Sequence, residues 1–102
     1  MKSVLILEDV SETLQWLGEI AAEAFPSCGV TGASSVRDAL AAMDRQVFDL
    51  ALIDLRLPDR SGLDVLRRLR AAFPDTICIV TTAISDDSSI VGALSAGASG
   101  YL

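Results

Sequence analysis

The sequence predicts a layered α/β domain: a parallel β-sheet with helices packed on both faces. Two observations carry that expectation. Short, continuous apolar runs recur along the chain, at Val4-Leu5-Ile6-Leu7, Leu50-Ala51-Leu52-Ile53 and Ile77-Cys78-Ile79-Val80. Strands that are apolar without alternation are covered on both faces, as central strands of parallel sheets are. Between these runs, apolar residues recur at helical spacing, and alternating strands and helices call for right-handed crossovers in one sheet.

The elements follow in order. Val4 to Leu7 forms the first strand and gives way to Glu8-Asp9-Val10. Ser11 is then the expected N-cap of a first helix, with Glu12 in its favourable first turn. Leu14, Leu17, Ile20, Ala21, Ala24 and Phe25 make its inner stripe, and Pro26 lies just past its end. Cys28 to Ala33 reads as a weak strand whose glycines, Gly29 and Gly32, suit a sheet edge. Ser35 and Asp38 resemble a capping box, opening a second helix with Val36, Ala39, Leu40 and Met43 inward.

The third strand runs from Asp49 to Leu55. A turn-rich loop, Pro58-Asp59-Arg60-Ser61-Gly62, leads to a third helix with Leu63, Leu66, Leu69 and Phe73 inward. Arg67, Arg68 and Arg70 are assigned to its outer face as solvated charge. Thr76 to Thr81 is a fourth strand. Ser85-Asp86-Asp87-Ser88 caps a fourth helix bearing Ile90, Val91, Ala93 and Leu94, Gly97 suits its C′ position, and Ser99-Gly100-Tyr101-Leu102 begins a fifth strand. Five strands in this alternation suit the flavodoxin-like doubly wound order 2-1-3-4-5, in one domain over residues 1–102.

Composition excludes several functions. A net charge of -6 argues against direct contact with a nucleic-acid backbone, which needs a basic patch. No apolar run approaches the roughly 18 residues of a membrane span, and Met1-Lys2-Ser3 leads into a run too short for a signal peptide. A cytoplasmic location is expected. Cys28 and Cys78 fall on strands that are not neighbours, so both are expected as reduced thiols. With no histidine, His-ligated metal sites and Ser-His or Cys-His catalytic pairs are excluded.

Ligands of open parallel sheets bind beyond the carboxyl ends of the strands, where strand order reverses. In the order above that point lies between the first strand, which ends in Glu8-Asp9, and the third, which ends in Asp54. Three carboxylates packed together repel and raise one another's pKa unless a cation neutralises them. Oxygen ligands alone favour a hard divalent ion, Mg²⁺ first, to which the carbonyl of Arg56 could add. A carboxylate can itself be a nucleophile that forms an aspartyl phosphate. Asp54 is the central candidate, Glu8 and Asp9 the metal holders, and Thr82 a hydroxyl within reach of a phosphoryl oxygen.

These residues carry a family resemblance. Glu8-Asp9, Asp54, Pro58, Gly62, Thr82-Ala83 and the closing Ala96-Gly97-Ala98-Ser99-Gly100-Tyr101-Leu102 look like a response-regulator receiver domain of two-component signalling. The ending is most similar to receivers that precede a helix-turn-helix DNA-binding domain. The resemblance implies that Asp54 accepts a phosphoryl group from the phosphohistidine of a histidine kinase or phosphotransfer protein. It implies Mg²⁺ held by Asp9, Asp54 and the Arg56 carbonyl, with Glu8 acting through a water. Thr82 would be drawn to the phosphoryl group and Tyr101 would reorient as the switch aromatic. Arg56 and Ile84 would tune how long the phosphoryl group lasts. Such a module assists its own phosphotransfer and relays its state to an output domain, and it is not a turnover enzyme.

Receivers normally carry a lysine three residues after the Tyr101 position, and the sequence given stops at Leu102. The expectation is a truncated receiver without the last helix, with apolar surface open beside the first helix and weakened phosphotransfer. That surface is a route to low stability or to a homodimer. A phosphorylation-independent interaction domain of the same fold is the alternative reading. An aspartate-nucleophile phosphatase fits poorly, since Arg56 stands where it wants a second acid. A flavin site fits poorly because Glu8-Asp9 would repel the phosphate.

Overall fold

The computed structural model describes residues 2–81, 97 and 99–101. Its elements are β1 (Ser3–Leu7), α1 (Ser11–Ala24), β2 (Gly29–Ala33), α2 (Val36–Arg45), β3 (Leu50–Ile53), α3 (Leu63–Ala72), β4 (Ile77–Val80) and β5 (Gly100–Tyr101). The strands pair in parallel in the order β2-β1-β3-β4-β5, the order expected from the sequence. The expected fourth helix lies outside the described residues.

The unbroken apolar runs have two faces to fill. Leu5, Leu7, Ala51, Ile53, Cys78 and Val80 pack with Val36, Ala39, Ala42 and Met43 of α2 and Val65, Leu66 and Leu69 of α3. The intervening Val4, Ile6, Leu50 and Leu52 face the other way, onto Leu17 and Ala21 of α1, with Ile79 at the margin. Strand β2 is the exposed edge that its glycines suggested. Cys28 and Cys78 are both free thiols.

Four expectations need correction. Ser11 is the first helical residue of α1, not its cap, since Val10 holds that position without a side-chain cap. The chain turns one residue early because the Glu8 carboxylate accepts the Val10 N–H at 3.1 Å. Ile20 and Ala24 are exposed, because α1 alone covers its face among the described residues and only the centre of its stripe meets the sheet. Among the described residues that leaves an apolar groove of about 450 Å³ lined by Trp16, Leu17, Ile20, Leu50 and Leu52.

The inner faces of α2 and α3 are also shifted slightly. Ala42 and Val65 are buried, while Leu40, Leu63 and Phe73 are only partly so. Arg70 is not on the outer face. It lies one turn past the fully buried Leu66, and its guanidinium donates to the Thr76 carbonyl and sits 3.4 Å from Cys78 Sγ. Arg67 and Arg68 are exposed as expected, 3.9 and 3.8 Å from Asp64 and Asp44, contacts worth at most about 1 kcal/mol each.

Candidate functional site

Glu8 and Asp54 meet because their strands end level with one another. Leu7 pairs with Ile53 and Ile53 with Val80, so the next residue of each strand leaves the sheet at the same edge. The amides there extend the ladders. Asp54 N–H donates to the Leu7 carbonyl, Glu8 N–H to Ala33 and Thr81 N–H to Ile53, each at 2.9 Å. Strand pairing therefore fixes both acids through their backbones before any side-chain contact is made.

Glu8, Asp9 and Asp54 each place an oxygen within 4.8 Å of the other two. Glu8 and Asp54 are 5% and 8% exposed, whereas Asp9 faces solvent. Each buried acid is steadied by the amide two residues on: Val10 N–H donates to Glu8 Oε1 and Arg56 N–H to Asp54 Oδ1, both at 3.1 Å. Burial pushes the Glu8 carboxyl up to about 7, against the Val10 hydrogen bond. The Asp54 carboxylate, as a like charge and as acceptor for the protonated form, and then Asp9 add to the rise.

The loop after Asp54 folds back on itself. Arg56 and Ser61 form an antiparallel bridge, and Gly62 N–H donates to the Leu55 carbonyl at 3.0 Å. Gly62 has an ordinary helical φ of -59°, so glycine is required here by space and not by backbone conformation. A Cβ at this position would collide with the Asp54 carbonyl oxygen and stand 3.1 Å from Ile53 Cγ2. Gly62→Ala is expected to lower stability by about 1–3 kcal/mol, the scale of overpacking. The midpoint of urea unfolding checks this, and an unchanged midpoint would contradict it.

The three sequence-predicted acids are thus brought together, and Arg56 adjoins them through its backbone. Thr82, Ile84 and the Tyr101 side chain lie outside the described residues. Asp59, read from sequence only as a turn former, does more. Its two oxygens accept the N–H groups of Val36 and Arg37, each at 3.1 Å. Those partners are 23 and 22 positions away, beyond any local pattern.

A model of the response regulator receiver domain matches residues 4–102. The chain is 38% identical over 78 residues to the DNA-binding transcriptional activator DevR/DosR of Mycobacterium tuberculosis, covering 76% of this chain and 36% of that protein. It is 45% identical over 73 residues to the alginate biosynthesis transcriptional regulatory protein AlgB of Pseudomonas aeruginosa, covering 72% of this chain and 16% of that protein. The chain therefore spans well under half the length of either relative. A solved response regulator protein from Burkholderia pseudomallei, with a phosphorylated aspartic acid, calcium ion and citrate, superposes with a TM-score of 0.90 at 25% identity, covering 100% of this chain and 59% of that one.

Proposed function

The chain belongs to the response regulator receiver domain family, and we propose that Asp54 is its phosphoacceptor, charged by the phosphohistidine of a histidine kinase or phosphotransfer protein. The convergence of Glu8, Asp9 and Asp54 at the carboxyl edge of the sheet carries this reading. An Asp54 carboxylate oxygen attacks phosphorus, the P–N bond to the imidazole breaks as the P–O bond forms, and the leaving nitrogen takes a proton from solvent. The product is an acyl phosphate on a buried strand end.

The three acids suit a hard divalent ion. Every donor is oxygen, like charges repel, and burial first, then the Asp54 and Asp9 carboxylates, raise the proton affinity of Glu8. Asp9, Asp54 and the Arg56 carbonyl would hold Mg²⁺, with Glu8 acting through water. Gly62 N–H donates to the Leu55 carbonyl and not to that of Arg56, which supports this assignment. When bound, the ion supplies positive charge against the phosphoryl oxygens. The Solved relative from Burkholderia pseudomallei, with its phosphorylated aspartic acid and calcium ion, supports the same pairing of chemistry. Thr82 is assigned the hydrogen bond to the phosphoryl group and Tyr101 the switch.

Both curated relatives are transcriptional regulators. The proposed role is accordingly a cytoplasmic signalling module, not a turnover enzyme, whose state governs a transcription-regulating, DNA-binding output domain. Among the described residues no helix is long and apolar enough to cross a membrane. Incubated with acetyl phosphate and Mg²⁺, the chain is expected to gain the mass of one phosphoryl group, which hydroxylamine releases. No gain, or a gain that resists hydroxylamine, overturns the reading.

A further inference from the structure

We propose that Asp59 is a positioning residue for the acid site, holding the loop that carries Arg56 by clamping its tip to the start of α2. This rests on the functional reading above. The loop from Asp54 to Gly62 is a small hairpin, closed at its root by the Arg56–Ser61 bridge and the Gly62-to-Leu55 hydrogen bond. Its root is set by the acid site, where the Arg56 N–H reaches Asp54 Oδ1. Its tip, Leu57-Pro58-Asp59-Arg60, needs a second anchor to keep a fixed direction.

The start of α2 provides one. The first amides of a helix have no partner within it. Here Ser35 Oγ accepts the Asp38 N–H at 3.1 Å, the usual local cap. The Val36 and Arg37 amides are taken instead by the two oxygens of Asp59, from a loop on another strand. Burial draws the Asp59 carboxyl upward, but the amides of Val36 and Arg37, with those of Arg60 and Asp59 itself, outweigh it and hold the group below the usual carboxylate range. The helix dipole favours the same anion. Leu57 adds an apolar contact, partly buried against the α2–α3 core.

Hairpin and helix are therefore joined at two points, and the Arg56 peptide has little freedom to turn away from Asp54. The clamp also connects the acid site to the end of the sheet-edge strand β2, from which α2 begins three residues after Ala33. A movement of the hairpin on phosphorylation would be felt at α2.

The test separates this role from plain helix capping. Asp59→Ala removes the clamp, Asp59→Asn keeps an acceptor oxygen, and Ser35→Ala removes a cap from the same helix without touching the hairpin. Two readouts are taken on the full chain: amide hydrogen exchange at Arg56 and Gly62, which needs no metal, and Mg²⁺ affinity by calorimetric titration. Asp59→Ala is expected to speed exchange at both amides and to weaken Mg²⁺ binding about tenfold, as loss of a group supporting metal ligands does. Asp59→Asn falls between it and the parent, while Ser35→Ala lowers thermal stability and leaves both readouts unchanged. Exchange unaffected by Asp59→Ala, or faster exchange with undiminished Mg²⁺ affinity, overturns the proposal. If the parent chain binds no Mg²⁺ at all, the reading of the acid site fails, and the exchange data alone decide whether Asp59 holds the hairpin.

Discussion

Asp54→Asn is expected to abolish phosphoryl incorporation from acetyl phosphate while leaving the fold intact or slightly more stable. The amide has nearly the shape of the carboxylate, and its oxygen can still accept the Arg56 N–H that Asp54 Oδ1 accepts now. What it lacks is the anionic nucleophile. At alkaline pH, where Glu8 has released its proton, it also removes one of two like charges buried side by side, at Glu8 and Asp54. In the absence of divalent ions the variant should therefore resist urea at least as well as the parent. Asp54→Ala differs, because the Arg56 amide loses its acceptor, at a cost of about 1 kcal/mol. Intact mass measures the first effect and urea unfolding the second. Labelling of Asp54→Asn at the parental rate would move the acceptor to another residue. A large loss of stability in Asp54→Asn would show that the charge serves the fold.

Much of this arrangement is legible in the sequence because it depends on the ends of strands. Runs apolar on every residue must be covered on both sides, and that fixes a parallel sheet. The sheet order then fixes where Glu8, Asp9 and Asp54 emerge, since a level register brings the residue after Leu7 beside the residue after Ile53. The features that were not legible are those made by partners far apart in the chain. Nothing near Asp59 announces that its carboxylate caps a helix more than twenty residues earlier. Arg70 sits in a basic run and looks solvated, yet its position one turn beyond Leu66 brings the guanidinium to the Thr76 carbonyl. The first turn of α1 begins one residue before the local pattern predicts, because a side chain from the preceding strand end, Glu8, takes the Val10 amide. Local pattern identifies the residues that must be buried or ionised, while tertiary contacts decide which amide each of them holds.

The acid cluster also implies a dependence of stability on pH that runs against the usual one. Asp49, held below the usual carboxylate range by the Lys2 and Ser3 amides, follows the common rule and loses its contribution as pH falls. Glu8 has the opposite sign. Its carboxyl titrates near 4.5 when free and at about 7 in the folded chain, chiefly through burial and then through Asp54 and Asp9. Between those values the folded chain holds a proton that the unfolded chain has released, so folding is favoured at the acid end and that advantage is lost as pH rises through about 7. Without divalent ions the thermal midpoint should therefore fall between about pH 5 and about pH 8. Glu8→Gln should flatten that slope and be the more stable protein at the alkaline end, by about 1–2 kcal/mol. Mg²⁺ should restore the parent at the alkaline end. Because binding displaces the Glu8 proton, Mg²⁺ affinity should weaken below neutrality, by up to roughly tenfold per pH unit. Thermal melts of the parent and Glu8→Gln, with chelator and with Mg²⁺, distinguish the cases. A parental midpoint that is flat over this range, or a Glu8→Gln slope equal to it, would mean that neither burial nor the neighbouring acids hold a proton on Glu8. The charge argument for a cation between Glu8 and Asp54 would then fall, even if Asp54 is phosphorylated.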